Sequence, residues 1–226
     1  MTQPSSAHPP DSHPKFLQHH FDTPAQQFDT AKLGMWLFLA QEVLFFSGLF
    51  VAYFVFRSWN PEAFSAGSKQ LDTVMGTLNT GVLLFSSLTA AMAVRSAQLN
   101  QRHRTSIYLA ITIACACAFM VVKYFEYSHK FHLGLLPGKA FNPHGLPAGV
   151  VLPADASVFF SIYFMMTGLH GLHVVIGIGV MIWILVRNIR GEFSNRYFTP
   201  VDIAALYWHL VDLVWIYLFP LLYLMD

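Results

Sequence analysis

Apolar residues run along this chain in five long stretches, roughly 32–57, 73–94, 106–129, 154–186 and 200–224, separated by shorter polar segments. Each is long enough to cross the hydrocarbon core of a bilayer, which takes about 20 predominantly apolar residues. Inside lipid every backbone group must be satisfied within its own helix or within a closed barrel. A barrel would show segments of about 10 residues with two-residue alternation, and that alternation is absent. The pattern therefore predicts an all-α integral membrane bundle of five transmembrane helices over 31–226, behind a polar tail over 1–30 that is rich in Pro, Gln, Ser and His. Trp36 and Trp59 lie near the ends of the first stretch, where indole rings anchor at the membrane–water boundary.

The segments between the stretches set the orientation. Arg95, Arg102 and Arg104 gather after the second stretch, and Arg187, Arg190 and Arg196 after the fourth. Basic loops favour the cytoplasmic side, so an odd number of spans puts the N-terminus in the cytoplasm and the C-terminus in the periplasm. Arg57 and Lys69 on the other side weaken the contrast slightly. The segment 58–72 reads as a Pro/Ser/Gly loop. The longer segment 130–153, with four prolines and four glycines, reads as a surface connection without regular structure. The tail has no apolar core of the signal-peptide type.

Composition narrows the function classes. The chain is 55% hydrophobic, 11% charged and carries a formal net charge of +1, so no basic field points to nucleic acid. Cys115 and Cys117 are separated by a single residue and would point to nearly opposite sides of a helix. They read as small packing residues rather than a disulfide or metal pair. The tail histidines His8, His13, His19 and His20 suggest metal binding only by composition; a solvated tail is the simpler reading.

Against this background Glu42 stands out, because a carboxylate in the middle of an apolar span is costly and marks a functional candidate. Counting from the ends of the stretches, His173 in the fourth and Asp212 in the fifth fall at a similar depth. His170 and His173 are three residues apart, as are His209 and Asp212, so each pair is expected to share a helix face. Gly168, Gly171, Gly177 and Gly179 would allow neighbouring helices to approach closely. Three readings of these groups stand side by side: polar glue between helices, a haem iron held by two histidines on different helices, and proton handling. A di-iron centre would want a Glu-x-x-His pattern, and neither pair provides one. Lys123 and Glu126, three apart near the outer end of the third stretch, read as a local ion pair with the lysine snorkelling to the interface, or alternatively as a binding site involving Glu126 and Tyr127.

Several segments resemble subunit III of haem–copper oxidases. The run from Thr167 to Gly177, TGLHGLHVVIG, is similar to that family's T-G-x-H-G-x-H-V-x-x-G signature. The run from Tyr207 to Trp215, YWHLVDLVW, is similar to its Y-W-H-x-V-D-x-V-W signature. Gln41-Glu42-Val43-Leu44-Phe45-Phe46 resembles the S-E-x-x-F-F segment, with Gln41 where serine is usual. Leu78-Asn79-Thr80, Ser86-Ser87 and Glu126-Tyr127 fall in the expected order, and the resemblance covers about 31–226. It implies a multi-pass, non-catalytic subunit of a proton-pumping terminal oxidase, cytochrome c oxidase above all, in a bacterial inner membrane. Such a subunit binds no haem or copper itself. These lie in subunit I and subunit II, while subunit III packs on subunit I, holds phospholipids, and supports proton uptake and enzyme lifetime. The resemblance also implies that Glu42 pairs with His173, with Asp212 and His209 packed nearby. Longer members have seven spans, and this chain starts at the segment matching the third. Quinol oxidases and nitric-oxide-reductase-related complexes also use five-span forms. A haem b-bearing, quinol-oxidising anchor is the competing class.

Overall fold

The computed structural model describes residues 17–144, 146, 152–153, 155–195 and 197–225. His8, His13, Ala154, Arg196 and Asp226 lie outside the described residues. Six α-helices follow one another: α1 (Pro24–Trp59), α2 (Pro61–Ser68), α3 (Thr73–Gln98), α4 (Arg102–His132), α5 (Ala156–Arg190) and α6 (Thr199–Tyr223). All but α2 are long and apolar enough to cross a membrane.

Local chemistry sets the ends. Thr23 Oγ1 accepts the Gln26 amide at 3.2 Å, and Pro24 follows in the first turn. Proline is pre-shaped for that position and has no amide to leave unpaired. The first helix thus begins within the polar tail, eight residues before the apolar stretch at 32. The Asp72 carboxylate caps α3 by accepting the Val74 and Met75 amides at 2.9 and 3.0 Å. Gly191 ends α5 with φ of 82°, a left-handed cap that glycine adopts without strain.

The 58–72 segment differs from expectation: it contains α2, nucleated by Pro61 and held down by Phe64. That ring is buried edge-on against Tyr53 and Phe159, 5.1 and 5.4 Å between centroids. Tertiary burial here overrides a Gly/Ser-rich composition. In the 130–153 segment, α4 runs on to His132, and a 3-10 turn (Gly138–Ala140) and a bridge between Leu135 and Phe141 follow.

Helix α6 is the centre of the bundle and packs on α1, α3 and α5; α4 joins α3 to α5, and α1 sits at the edge with the least burial. The register of α6 is set by its two tryptophans. Trp208 Nε1 donates to Ser86 Oγ and Trp215 Nε1 to Thr80 Oγ1, both at 3.0 Å. These bonds satisfy the one polar atom of each indole while the rings fill the core. Opposite Trp208 stands Gly177, where an added Cβ would lie 2.8 Å from the ring. Only a glycine lets α5 approach α6 this closely.

One end of the bundle carries Arg95, Arg102, Arg104, Arg187 and Arg190. There Arg102 Nε donates to the Asn188 carbonyl at 2.8 Å, and Asn188 Nδ2 donates back to the Arg102 carbonyl at 3.0 Å. At the opposite end Tyr53 donates to the Leu221 carbonyl at 2.7 Å, tying α1 to α6.

Candidate functional site

Glu42 and His173 lie near the midpoints of α1 and α5 and meet, Oε2 to Nε2, at 3.1 Å. Their side chains retain 12% and 14% exposure, so the pair is largely covered between α1 and α5 with a small opening to the outside. The other ring nitrogen of His173 is 2.7 Å from the Leu169 carbonyl. A carbonyl only accepts, so Nδ1 carries a proton there. The Glu42–His173 contact then needs one further proton, either on the carboxyl facing a neutral ring nitrogen or on that nitrogen facing a carboxylate. The heavy-atom geometry serves both states. Phe46 closes over the imidazole edge-on at 5.2 Å, and Tyr207 donates to the His173 carbonyl at 3.1 Å.

The remaining midspan groups are not gathered around this pair. Three residues turn a helix by about 300°, and that turn sends His170 inward while His173 points to α1. The His170 ring is buried between Phe119 and Trp215, 5.7 and 5.2 Å away. His209 faces α3, where its Nδ1 meets Ser87 Oγ at 2.7 Å. The same hydroxyl lies beside the buried Asp212 carboxyl without closing a hydrogen bond of ordinary geometry. Among the described residues, no hydrogen bond joins His209 or Asp212 to Glu42 or His173. The glycines divide as well. Gly177 serves close helix packing, but a Cβ on Gly171 or Gly179 would meet open space, and one on Gly168 would only touch Tyr127 at 4.0 Å.

The Lys123–Glu126 pair departs furthest from expectation. It does not snorkel: both residues are buried, and Lys130, also buried, joins them. Lys123 Nζ donates to Glu126 Oε2 at 2.8 Å and to Tyr223 Oη at 2.7 Å. Tyr163 donates to Glu126 Oε1 at 2.8 Å, Tyr223 donates to the same oxygen, and Lys130 Nζ lies 3.5 Å from it. The Lys123 ammonium also sits 4.5 Å from the centre of the Trp215 ring. Pairing with the shared carboxylate is what makes the two buried cations tolerable in a lipid-embedded bundle. Lys130, at i+4 from Glu126, was within reach of a helical-wheel argument; Tyr163 and Tyr223, on other helices, carry no local signal. Beside this network α4 and α5 enclose a groove of about 530 Å³ lined by Phe119, Lys123, Tyr127, Thr167 and Gly171 among others, in which Tyr127 and Thr167 bond at 2.5 Å.

Among the described residues, no three His, Cys, Asp or Glu side chains gather closely enough to hold a metal ion. Cys115 and Cys117 are free thiols. His170 and His209 are committed to separate helix contacts, which does not fit a haem held between them.

A family model described as cytochrome c oxidase subunit III matches residues 15–133 and 151–226, most of the chain. The chain belongs to the cytochrome c oxidase subunit III family. Among relatives of this subunit III, cytochrome c oxidase subunit 3 of Synechocystis is 31% identical, over 87% of this chain and 76% of its own. Quinol oxidase subunit 3 of Bacillus spizizenii is 32% identical over 86% of each chain. Heme-copper oxidase subunit I+III of Aeropyrum pernix is 32% identical over 87% of this chain and 23% of its own length. The chain is thus a subunit III of a haem–copper oxidase, a multi-pass membrane protein with five helices able to span. In this subunit III the two histidine-bearing signatures occupy the middle of α5 and α6.

Proposed function

We propose that this subunit III is an accessory, non-catalytic part of a proton-pumping terminal oxidase that reduces dioxygen to water, docked on subunit I and supporting its proton uptake and its operating lifetime. The observation that carries this reading is the Glu42–His173 contact of 3.1 Å between α1 and α5, largely covered but still open to the outside. A proton-sharing pair of this kind is expensive in lipid, and a neighbouring subunit that covers it would relieve that cost. Helix α1 offers a separate surface: Leu33, Leu37, Leu44 and Val51 are exposed on the side away from Glu42, an apolar face for a partner or for lipid. The Aeropyrum relative, named as subunits I and III in one chain, supports adjacency to subunit I. Haem and copper then belong to the partner subunits I and II, and phospholipids fill the remaining apolar surface. The basic end faces the cytoplasm of a bacterial inner membrane, which places the C-terminus in the periplasm.

The test is Glu42→Ala in the purified complex. Haem content should stay at the wild-type level, while proton uptake slows or the enzyme inactivates after fewer turnovers. Loss of haem would overturn the reading. A second reading, a quinol-oxidising complex, is favoured by the Bacillus relative's name. A co-purifying subunit with a dinuclear copper site would decide for cytochrome c.

A further inference from the structure

Among the described residues, three polar side chains in the bundle core close no hydrogen bond of ordinary geometry: Asn79 on α3, His170 on α5 and Asp212 on α6. They are 1%, 1% and 2% exposed, and none of their six side-chain nitrogen and oxygen atoms makes a hydrogen bond within the protein. Buried polar atoms are almost always satisfied, and in lipid the surrounding solvent offers no alternative. One such atom is a local accident; three whole side chains at one level of the bundle call for a common cause.

Their level follows from the helix register. Trp215 bonds Thr80, the residue after Asn79, and its ring lies tilted beside His170 with centroids 5.2 Å apart. Asn79 and His170 therefore lie at the depth of Trp215. Asp212 is three residues before Trp215, so it sits within about one turn, ~5 Å, of the same depth. Phe119 closes the α4 side against both Trp215 and His170. The polar groups nearby are engaged elsewhere: Ser87, beside Asp212, bonds His209, and Lys123 bonds Glu126 and Tyr223.

We propose that Asn79, His170 and Asp212 form an internal hydration site, in which ordered water molecules bridge the three side chains. Water suits this set because each bound molecule both donates and accepts, and the set itself offers an amide, an imidazole and a carboxyl. Buried waters characteristically make about three hydrogen bonds to groups of this kind. The site continues the polar interior from Ser87–His209, one turn towards the basic end, to Lys123–Glu126–Tyr223 on the other side. It is distinct from the Glu42–His173 pair between α1 and α5 and does not rest on the role proposed for that pair.

The experiment uses the assembled oxidase. A map of the wild-type complex at water-resolving resolution should show density within hydrogen-bond distance of His170, Asp212 and Asn79. Side chains bonded directly to one another, or a dry core, would overturn the proposal. Substitution gives an independent reading in the opposite sense for the two cases. If the site is hydrated, Asp212→Leu and His170→Phe each lower the thermal midpoint, because each strands the waters of the others, and the double variant loses less than the sum. If the groups are dry and unpaired, each apolar replacement raises the midpoint and the two effects add. Asp212→Asn, which keeps a polar group of the same size, should retain assembly where leucine does not, and should keep the coupling to His170; additive shifts in that pair would refute shared waters.

Discussion

Replacing Glu126 by leucine removes the one anion that holds Lys123, Lys130, Tyr163 and Tyr223 together. In the variant Lys123 loses its counter-charge, Lys130 keeps only the more distant Asp72 carboxylate, and two phenols lose their acceptor. Breaking a buried ion pair by deleting one partner costs about 3–5 kcal/mol. Hydrogen bonds between membrane helices average only about 0.6 kcal/mol, so the stranded charges dominate and the lost phenol bonds are a minor addition. At roughly 2–4 °C per kcal/mol for a chain of this size, the thermal midpoint of the subunit should fall on the order of 10 °C. The assay is retention of this subunit in the detergent-solubilised complex across a temperature ramp, alongside the haem spectrum of the remainder. Lys123→Met combined with Glu126→Leu should recover part of the loss, because one of the two stranded charges is gone. A midpoint for Glu126→Leu within about 0.5 kcal/mol equivalent of wild type, the range of ordinary surface changes, would refute the reasoning and mean that the lysines find water or lipid phosphate instead.

Other perturbations test separate parts of the fold. Gly177→Leu drives a side chain into the Trp208 ring, 2.8 Å from the first added carbon, and overpacking of this kind should cost about 1–3 kcal/mol; Gly171→Leu, in open space, should leave the thermal midpoint unchanged. Tyr53→Phe leaves the Leu221 carbonyl without its 2.7 Å donor and should cost about 1–3 kcal/mol, read as faster limited proteolysis of the α1–α2 junction. Asn188→Leu removes the bonds from Nδ2 to the Arg102 carbonyl and to Ser106 Oγ, keeps the backbone carbonyl that accepts from Arg102 Nε, and should loosen the basic end, seen as faster amide exchange at the α4 N-terminus with little change at α6.

What could be read from the sequence alone was whatever depends on local pattern. Bilayer thickness sets the length of an apolar run, so five spans and their order were legible, and Arg-rich segments marked one end. The motifs around Glu42, His173 and Asp212 carried the family, and the Glu42–His173 contact followed from that resemblance. Tertiary structure decided which way each polar group faces. Helix rotation is set by packing, above all by Trp208 against Gly177 and by the bonds of Trp208 and Trp215 to α3. That rotation separates His170 from His173, turns His209 to Ser87, and leaves Asp212 in the core. It also assembles Glu126 with Tyr163 and Tyr223, 37 and 97 residues away in the chain. No periodicity within one helix encodes such a meeting. A lysine near a helix end looks the same in sequence whether it snorkels or is buried, and only the tyrosines on α5 and α6 make burial of Lys123 and Lys130 affordable.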